Sequence, residues 1–94
     1  MRSIDLSGKV AVVSGGGGEI GFAISQGLAE AGAKVVALDL NVQRIEDSDL
    51  DIEGIQIDLN EFQGFGSVAT EIHEKYGLVD IFVHSAGLNI SGSV

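Results

Sequence analysis

The sequence predicts an α/β domain built on a parallel sheet, and three observations lead there. Short continuous apolar runs alternate with segments whose apolar residues recur at helical spacing, the pattern of successive β-α-β units. A glycine cluster, Gly15 to Gly18, separates the first apolar run from the first helical segment. Two later runs end in aspartate, at Asp39 and Asp58.

Taken in order, Val10-Ala11-Val12-Val13 reads as a strand covered on both faces and ended by the glycine cluster. Ile20, Ala23, Ile24, Gly27, Leu28 and Ala31 then share one helical face, with Gly32 placed to close the helix. Val35 to Leu38 is a second buried run, ending at Asp39. Asn41 to Glu46 suits a short helix, and Gly54 to Asp58 a third strand. Phe65, Val68, Ala69, Ile72 and Tyr76 form a further helical stripe. Gly64 and Gly66, each costing about 1 kcal/mol against Ala inside a helix, predict an irregular first turn. Val79 to Val83 is the fourth strand.

Composition narrows the functions. The 94 residues suffice for one domain, taken as 1–94, and not for two. A net charge of −9 with only five Lys and Arg residues argues against nucleic acid and against an anionic membrane surface. Cysteine is absent, so disulfides and thiolate chemistry are excluded and a cytoplasmic protein is expected. No apolar run approaches the roughly 18 residues of a membrane span.

Gly16-Gly17-Gly18-Glu19-Ile20-Gly21 spells G-x-G-x-x-G between a predicted strand and a predicted helix. Asp39 follows at the end of the next strand, about twenty residues on, which is the dinucleotide-binding arrangement of a Rossmann-type domain. The glycines serve a tight turn, close approach of backbone to pyrophosphate, and packing of helix on strand. The helix N-terminus supplies N–H donors and a positive dipole end, so no cationic side chain is required. Asp39, followed by Leu40, suits hydrogen bonds to the adenosine ribose hydroxyls and repels a 2′-phosphate, which favours NAD over NADP. No Lys or Arg interrupts the loop to offset that repulsion. Asp39 equally suits ending a strand and capping the following turn.

These residues resemble the short-chain dehydrogenase/reductases along nearly the whole chain. Leu6 to Val13 is similar to the opening strand of that family, and Ser14-Gly15-Gly16-Gly17-Gly18-Glu19-Ile20-Gly21 to its T-G-x-x-x-G-x-G loop. Asp58-Leu59-Asn60 resembles the segment whose Asp contacts the adenine amino group, and Asp80 to Gly87 resembles D-I-x-V-N-N-A-G. Here His84 and Ser85 replace the two Asn, while Ala86-Gly87 keeps the small residues that admit the cofactor. Glu19 stands at the middle glycine of the loop. Its carboxylate repels pyrophosphate by roughly 1–3 kcal/mol if the charges are about 5 Å apart, or points to solvent, or occupies the anion site itself; a loop register on Gly16, Gly18 and Gly21 removes the conflict.

The resemblance implies NAD(P)-dependent oxidation of an alcohol or reduction of a carbonyl by a Tyr acid/base, a Lys and a Ser. The Tyr-x-x-x-Lys pattern does not occur, because Tyr76 is the single tyrosine and Asp80 lies four residues after it. No catalytic residue is therefore assigned, and the chain is expected to be a partial Rossmann fold: four parallel strands in order 3-2-1-4, about three helices, and a truncation before the fifth strand. The third helix should cross to the opposite sheet face, and the fourth strand forms an open edge. A nicotinamide dinucleotide is the expected ligand. A second copy, or a complementary C-terminal fragment, is the expected protein partner.

Asp47, Asp49 and Asp51 alternate like a calcium loop, but Ile52 stands where such a loop needs glycine, so a solvated loop is expected and no metal site is assigned. His73 and His84 have no metal-pair spacing. Three functions compete: an oxidoreductase represented by its cofactor-binding half and lacking turnover alone, a non-catalytic nucleotide-binding module, and an assembly or complementation fragment.

Overall fold

The computed structural model describes residues 4–58 and 62–85. Its elements run β1 (Val10–Ser14), α1 (Glu19–Glu30), β2 (Lys34–Asp39), α2 (Gln43–Glu46), β3 (Ile52–Gln56), α3 (Phe62–Tyr76) and β4 (Ile81–His84). The four strands make one parallel sheet in the order β3-β2-β1-β4, as expected.

Side chains of β1 alternate between two cores. Ala11 and Val13 join Val35, Ala37, Val42, Ile45 and Ile52 beneath α1 and α2, where Phe22, Ile24 and Leu28 pack against them. Val12, Val36, Leu38 and Ile72 form the core on the other face, with Val68 and Tyr76 from α3. The third helix does cross the sheet. Both faces of β1 and β2 are thereby covered, which explains why these strands read as unbroken apolar runs.

Gly32, at φ +104, ends α1 in the left-handed conformation. Its N–H donates to the Ala29 carbonyl and that of Ala33 to the Leu28 carbonyl, the paired bonds of a Schellman cap. The face that α1 buries overlaps the expected one at Ile24 and Leu28 but is rotated from it. Ala23 and Gly27 are exposed, whereas Gly21 and Ser25 are buried beside the half-buried Ile24 and Leu28. Small residues let this helix approach the sheet closely, and the Ser25 hydroxyl is satisfied by donating to the Gly21 carbonyl at 2.8 Å.

Three boundaries are also corrected. The third strand occupies Ile52–Gln56, two residues earlier than Gly54 to Asp58, because the β2 register pairs Val35 with Ile52 and Asp39 with Gln56. The fourth begins at Ile81, not Val79, and ends at His84. Helix α3 starts regularly at Phe62 despite Gly64 and Gly66; burial of Ile72 with Val68 and Tyr76 outweighs the glycine penalty. On the α3 side of β4, Phe82 and Leu78 are exposed beside a groove that Val12, Val68 and Ile72 also line. Among the described residues no helix is long and apolar enough to cross a membrane.

Candidate dinucleotide-binding site

The glycine loop leaves the C-terminal end of β1 at the point where the sheet branches to β2 on one side and β4 on the other. Such a switch point opens a crevice at the strand ends. Gly15 turns the chain at φ +77. The N–H groups of Gly15 and Gly16 both donate to the Leu38 carbonyl, at 2.7 and 3.2 Å, so the loop begins anchored to β2.

Side chains are excluded from this loop by contacts that the sequence does not reveal. A Cβ on Gly16 would meet the Ala37 Cβ at 2.5 Å, one on Gly17 the Asn41 carbonyl oxygen at 2.1 Å, and one on Gly21 the Gly15 carbonyl oxygen at 2.0 Å. Gly18 differs, since its nearest neighbour, the Gly15 carbonyl oxygen, would lie at 3.6 Å. It forms the N-cap of α1 with extended backbone and has no side chain to cap the first turn. A helix start without a side-chain cap, approached over a glycine that no close contact crowds, suits an anionic ligand.

Glu19 is the first residue of α1 and is exposed, and Ile20 beside it is half-buried. The carboxylate therefore stands in the turn that favours negative charge. Asp39 ends β2 at the loop, where its Oδ2 accepts the Gly17 N–H at 2.9 Å and its Oδ1 the Asn41 N–H at 3.3 Å. Leu40, 59% exposed, follows it at the surface.

The ends of β1 and β4 are joined by side chains as well. Ser14 is buried, and its Oγ lies 2.7 Å from His84 Nδ1. The Ser14 carbonyl accepts both the N–H and the hydroxyl of Ser85, at 2.9 and 2.7 Å. His84 and Ser85 thus bridge strands by hydrogen bonds in a place where the resemblance led to two Asn residues. Asp58 is half-buried just beyond β3. Leu59, Ala86 and Gly87 lie outside the described residues.

One cation near the loop was not anticipated. Arg44 of α2 shares with Gly17, Asn41 and Ser48 the lining of an open depression, its guanidinium 5.9 Å from the centre of the Phe22 ring. Its position five residues after Asp39, as the second residue of α2, is the signal that points to it. Tyr76, by contrast, lies away from the loop and donates its hydroxyl to Glu53 of β3. The Asp47–Asp51 stretch is occupied by protein contacts: Asp51 pairs with Lys34 at 3.1 Å and Asp47 accepts from Gln43 at 2.9 Å. Among the described residues no group of His, Asp or Glu is placed to hold a metal ion. His73 is exposed in the last turn of α3.

Comparison with known proteins identifies the family. The family model for short chain dehydrogenases matches residues 9–94. Fluoren-9-ol dehydrogenase of Terrabacter sp. (strain DBF63) is 32% identical over 90 residues, covering 89% of this chain and 25% of that protein. An uncharacterized oxidoreductase of Thermotoga maritima is 38% identical over 90 residues, covering 88% and 35%. Among solved structures, 2-keto-3-deoxy-D-gluconate dehydrogenase from Streptococcus agalactiae superposes with a TM-score of 0.78 at 28% identity, covering 93% of this chain and 35% of its own. The chain thus spans between 25% and 35% of the length of these relatives.

Proposed function

The chain belongs to the short-chain dehydrogenase family, and from that premise we propose that residues 1–94 form the adenosine-binding portion of an oxidoreductase that uses NAD to oxidise an alcohol or reduce a carbonyl. The observation that carries this reading is the uncapped first turn of α1, set over Gly18 at the branch point of the sheet.

In this reading Ser14 to Gly18 shape the loop beneath the pyrophosphate, and the first-turn N–H groups of α1, from Glu19 to Gly21, with its positive end hold it. Asp39 and Leu40 meet the ribose, Asp58 the adenine, and Ser85 borders the cofactor at the end of β4; the parts that the resemblance gives Leu59, Ala86 and Gly87 fall outside the described residues. Bound nicotinamide supplies the hydride donor or acceptor. The chain's own residues bind and orient the dinucleotide, and none is assigned an acid/base role; Tyr76 is engaged with Glu53. The chain alone is expected not to turn over substrate. The apolar groove beside Phe82 supports completion of the sheet by further polypeptide, from a second copy or a complementary segment. A cytoplasmic setting agrees with the absence of cysteine.

Asp39 favours NAD because a 2′-phosphate would face a carboxylate. A second reading, NADP, is favoured by Arg44, whose guanidinium lines the depression next to Gly17. Calorimetric titration with each dinucleotide separates them. Saturable binding that is tighter for NAD supports the proposal, tighter NADP binding transfers the preference to Arg44, and binding of neither removes the cofactor role.

A further inference from the structure

We infer that Asp39 is a positioning residue for the glycine loop, shaping it before any dinucleotide arrives, so that affinity for NAD and NADP alike depends on this carboxylate. The loop part of this inference stands on the cofactor-free geometry; its consequence for affinity rests on the dinucleotide reading above.

The two carboxylate oxygens of Asp39 serve two segments. Oδ2 takes the Gly17 N–H at the tip of the loop and Oδ1 takes the Asn41 N–H in the turn after β2. Asn41 Oδ1 in turn accepts the Gln43 N–H at 3.0 Å, which carries the connection to the start of α2. Gly17 is pressed into this turn so closely that a Cβ would lie 2.1 Å from the Asn41 carbonyl oxygen and 3.2 Å from the Asp39 side chain. The contact joins segments 22 residues apart, so local chain geometry cannot supply it.

Gly17 donates its N–H to a charged acceptor, the stronger class of hydrogen bond. The neighbouring N–H groups have other partners: Gly15 and Gly16 donate to Leu38, and Gly18 to Gly15. Asp39 is thus what fixes the loop tip against β2 and α2. A glycine-rich segment has much conformational freedom to lose, and a loop held in place beforehand spares that loss when the phosphate binds. Removing the carboxylate abolishes the repulsion of a 2′-phosphate and at the same time releases the loop, so substitution at Asp39 alone should not convert NAD preference into tight NADP binding.

The test is amide hydrogen exchange in the intact, cofactor-free chain, followed by titration with NAD and NADP. In Asp39→Ala the Gly17 amide should exchange about tenfold faster or more, with Val36 in the sheet unchanged, and both dinucleotides should bind more weakly. Asp39→Asn keeps one acceptor oxygen and lacks the charge, so it should recover part of the Gly17 protection and part of the NAD affinity. If the alanine variant unfolds throughout, the asparagine variant decides: Gly17 exchange faster than in the natural chain with Val36 unchanged supports the inference. Gly17 exchange unaltered by the loss of the carboxylate overturns it. A gain of NADP binding with Gly17 exchange unaltered would leave Asp39 as a specificity residue only. Failure of the natural chain to bind either dinucleotide, with the exchange pattern as described, sinks the cofactor reading while the loop role stands.

Discussion

Asp80 and Val10 hold each other at the entry to the sheet: the Asp80 N–H donates to the Val10 carbonyl, and the Val10 N–H donates to Asp80 Oδ2, both at 2.9 Å. Val10 opens β1 and is 8% exposed, so its N–H has little access to water. Asp80→Ala should cost about 1–3 kcal/mol by leaving that donor unpaired, and Asp80→Asn less, because its amide oxygen can still accept. Urea unfolding of the variants measures both. Equal midpoints for the natural chain and Asp80→Ala would contradict the pairing.

The contact between Tyr76 and Glu53 makes stability depend on pH at two ends of the scale. The Tyr76 hydroxyl holds the Glu53 carboxyl below its ordinary value of 4.5, with Lys75 adding to this at 2.9 Å and partial burial opposing it. A lowered folded value means that the unfolded chain binds the proton more readily. The contribution is therefore present above the ordinary carboxylate value and lost as pH falls through the lowered one. Tyr76 itself is raised above 10.0, by burial first and by Glu53 second. That contribution is present below the ordinary tyrosine value and lost as pH rises through the raised one. Tyr76→Phe should cost about 1 kcal/mol near neutral pH, with the difference from the natural chain shrinking under both acid and alkaline conditions. A difference independent of pH would argue against the bond.

Glycines in this chain are predicted to differ sharply in their tolerance of a methyl group. Gly21→Ala places Cβ 2.0 Å from the Gly15 carbonyl oxygen and 2.7 Å from Ser85 Oγ, so it should destabilise by about 2 kcal/mol or more. Gly18→Ala has room and should stay within about 1 kcal/mol. Gly66, inside α3 with nothing within 4 Å of a built Cβ, should tolerate Ala with a gain of about 0.5–1 kcal/mol. Thermal unfolding ranks the three, and any other order would require a different path for the loop.

Glu19 tests the electrostatics of the helix start. Its carboxylate is exposed in the first turn of α1, where it stabilises the helix by about 0.3–1 kcal/mol and opposes a bound pyrophosphate. Glu19→Gln should lower stability slightly and tighten NAD binding by about two- to tenfold at low ionic strength, with the gain fading as salt is added. Titration at two salt concentrations is the check. An unchanged affinity would place the carboxylate outside the field of the phosphates.

What the sequence determined by itself follows from burial patterns and from local chemistry. The apolar runs of β1 and β2 required cover on both faces, the Gly15–Gly21 spacing marked a turn into a helix, and Gly32 marked its end; from these a parallel sheet was legible, and its order 3-2-1-4 followed from the family resemblance that the motifs carry. Tertiary structure alone decided the rest. Helix α1 turns Gly21 and Ser25 to the sheet in place of Ala23 and Gly27, because Gly21 packs against the Gly15 carbonyl and Ser85 while Gly27 has open space around it. The start of β3 was set by its register against β2, which Gly54 concealed. Asp39 meets Gly17, and Ser14 meets His84 and Ser85, across 22, 70 and 71 residues of chain. Hydrogen bonds of that reach depend on how the strands and helices come together in space, and no spacing along the chain encodes them.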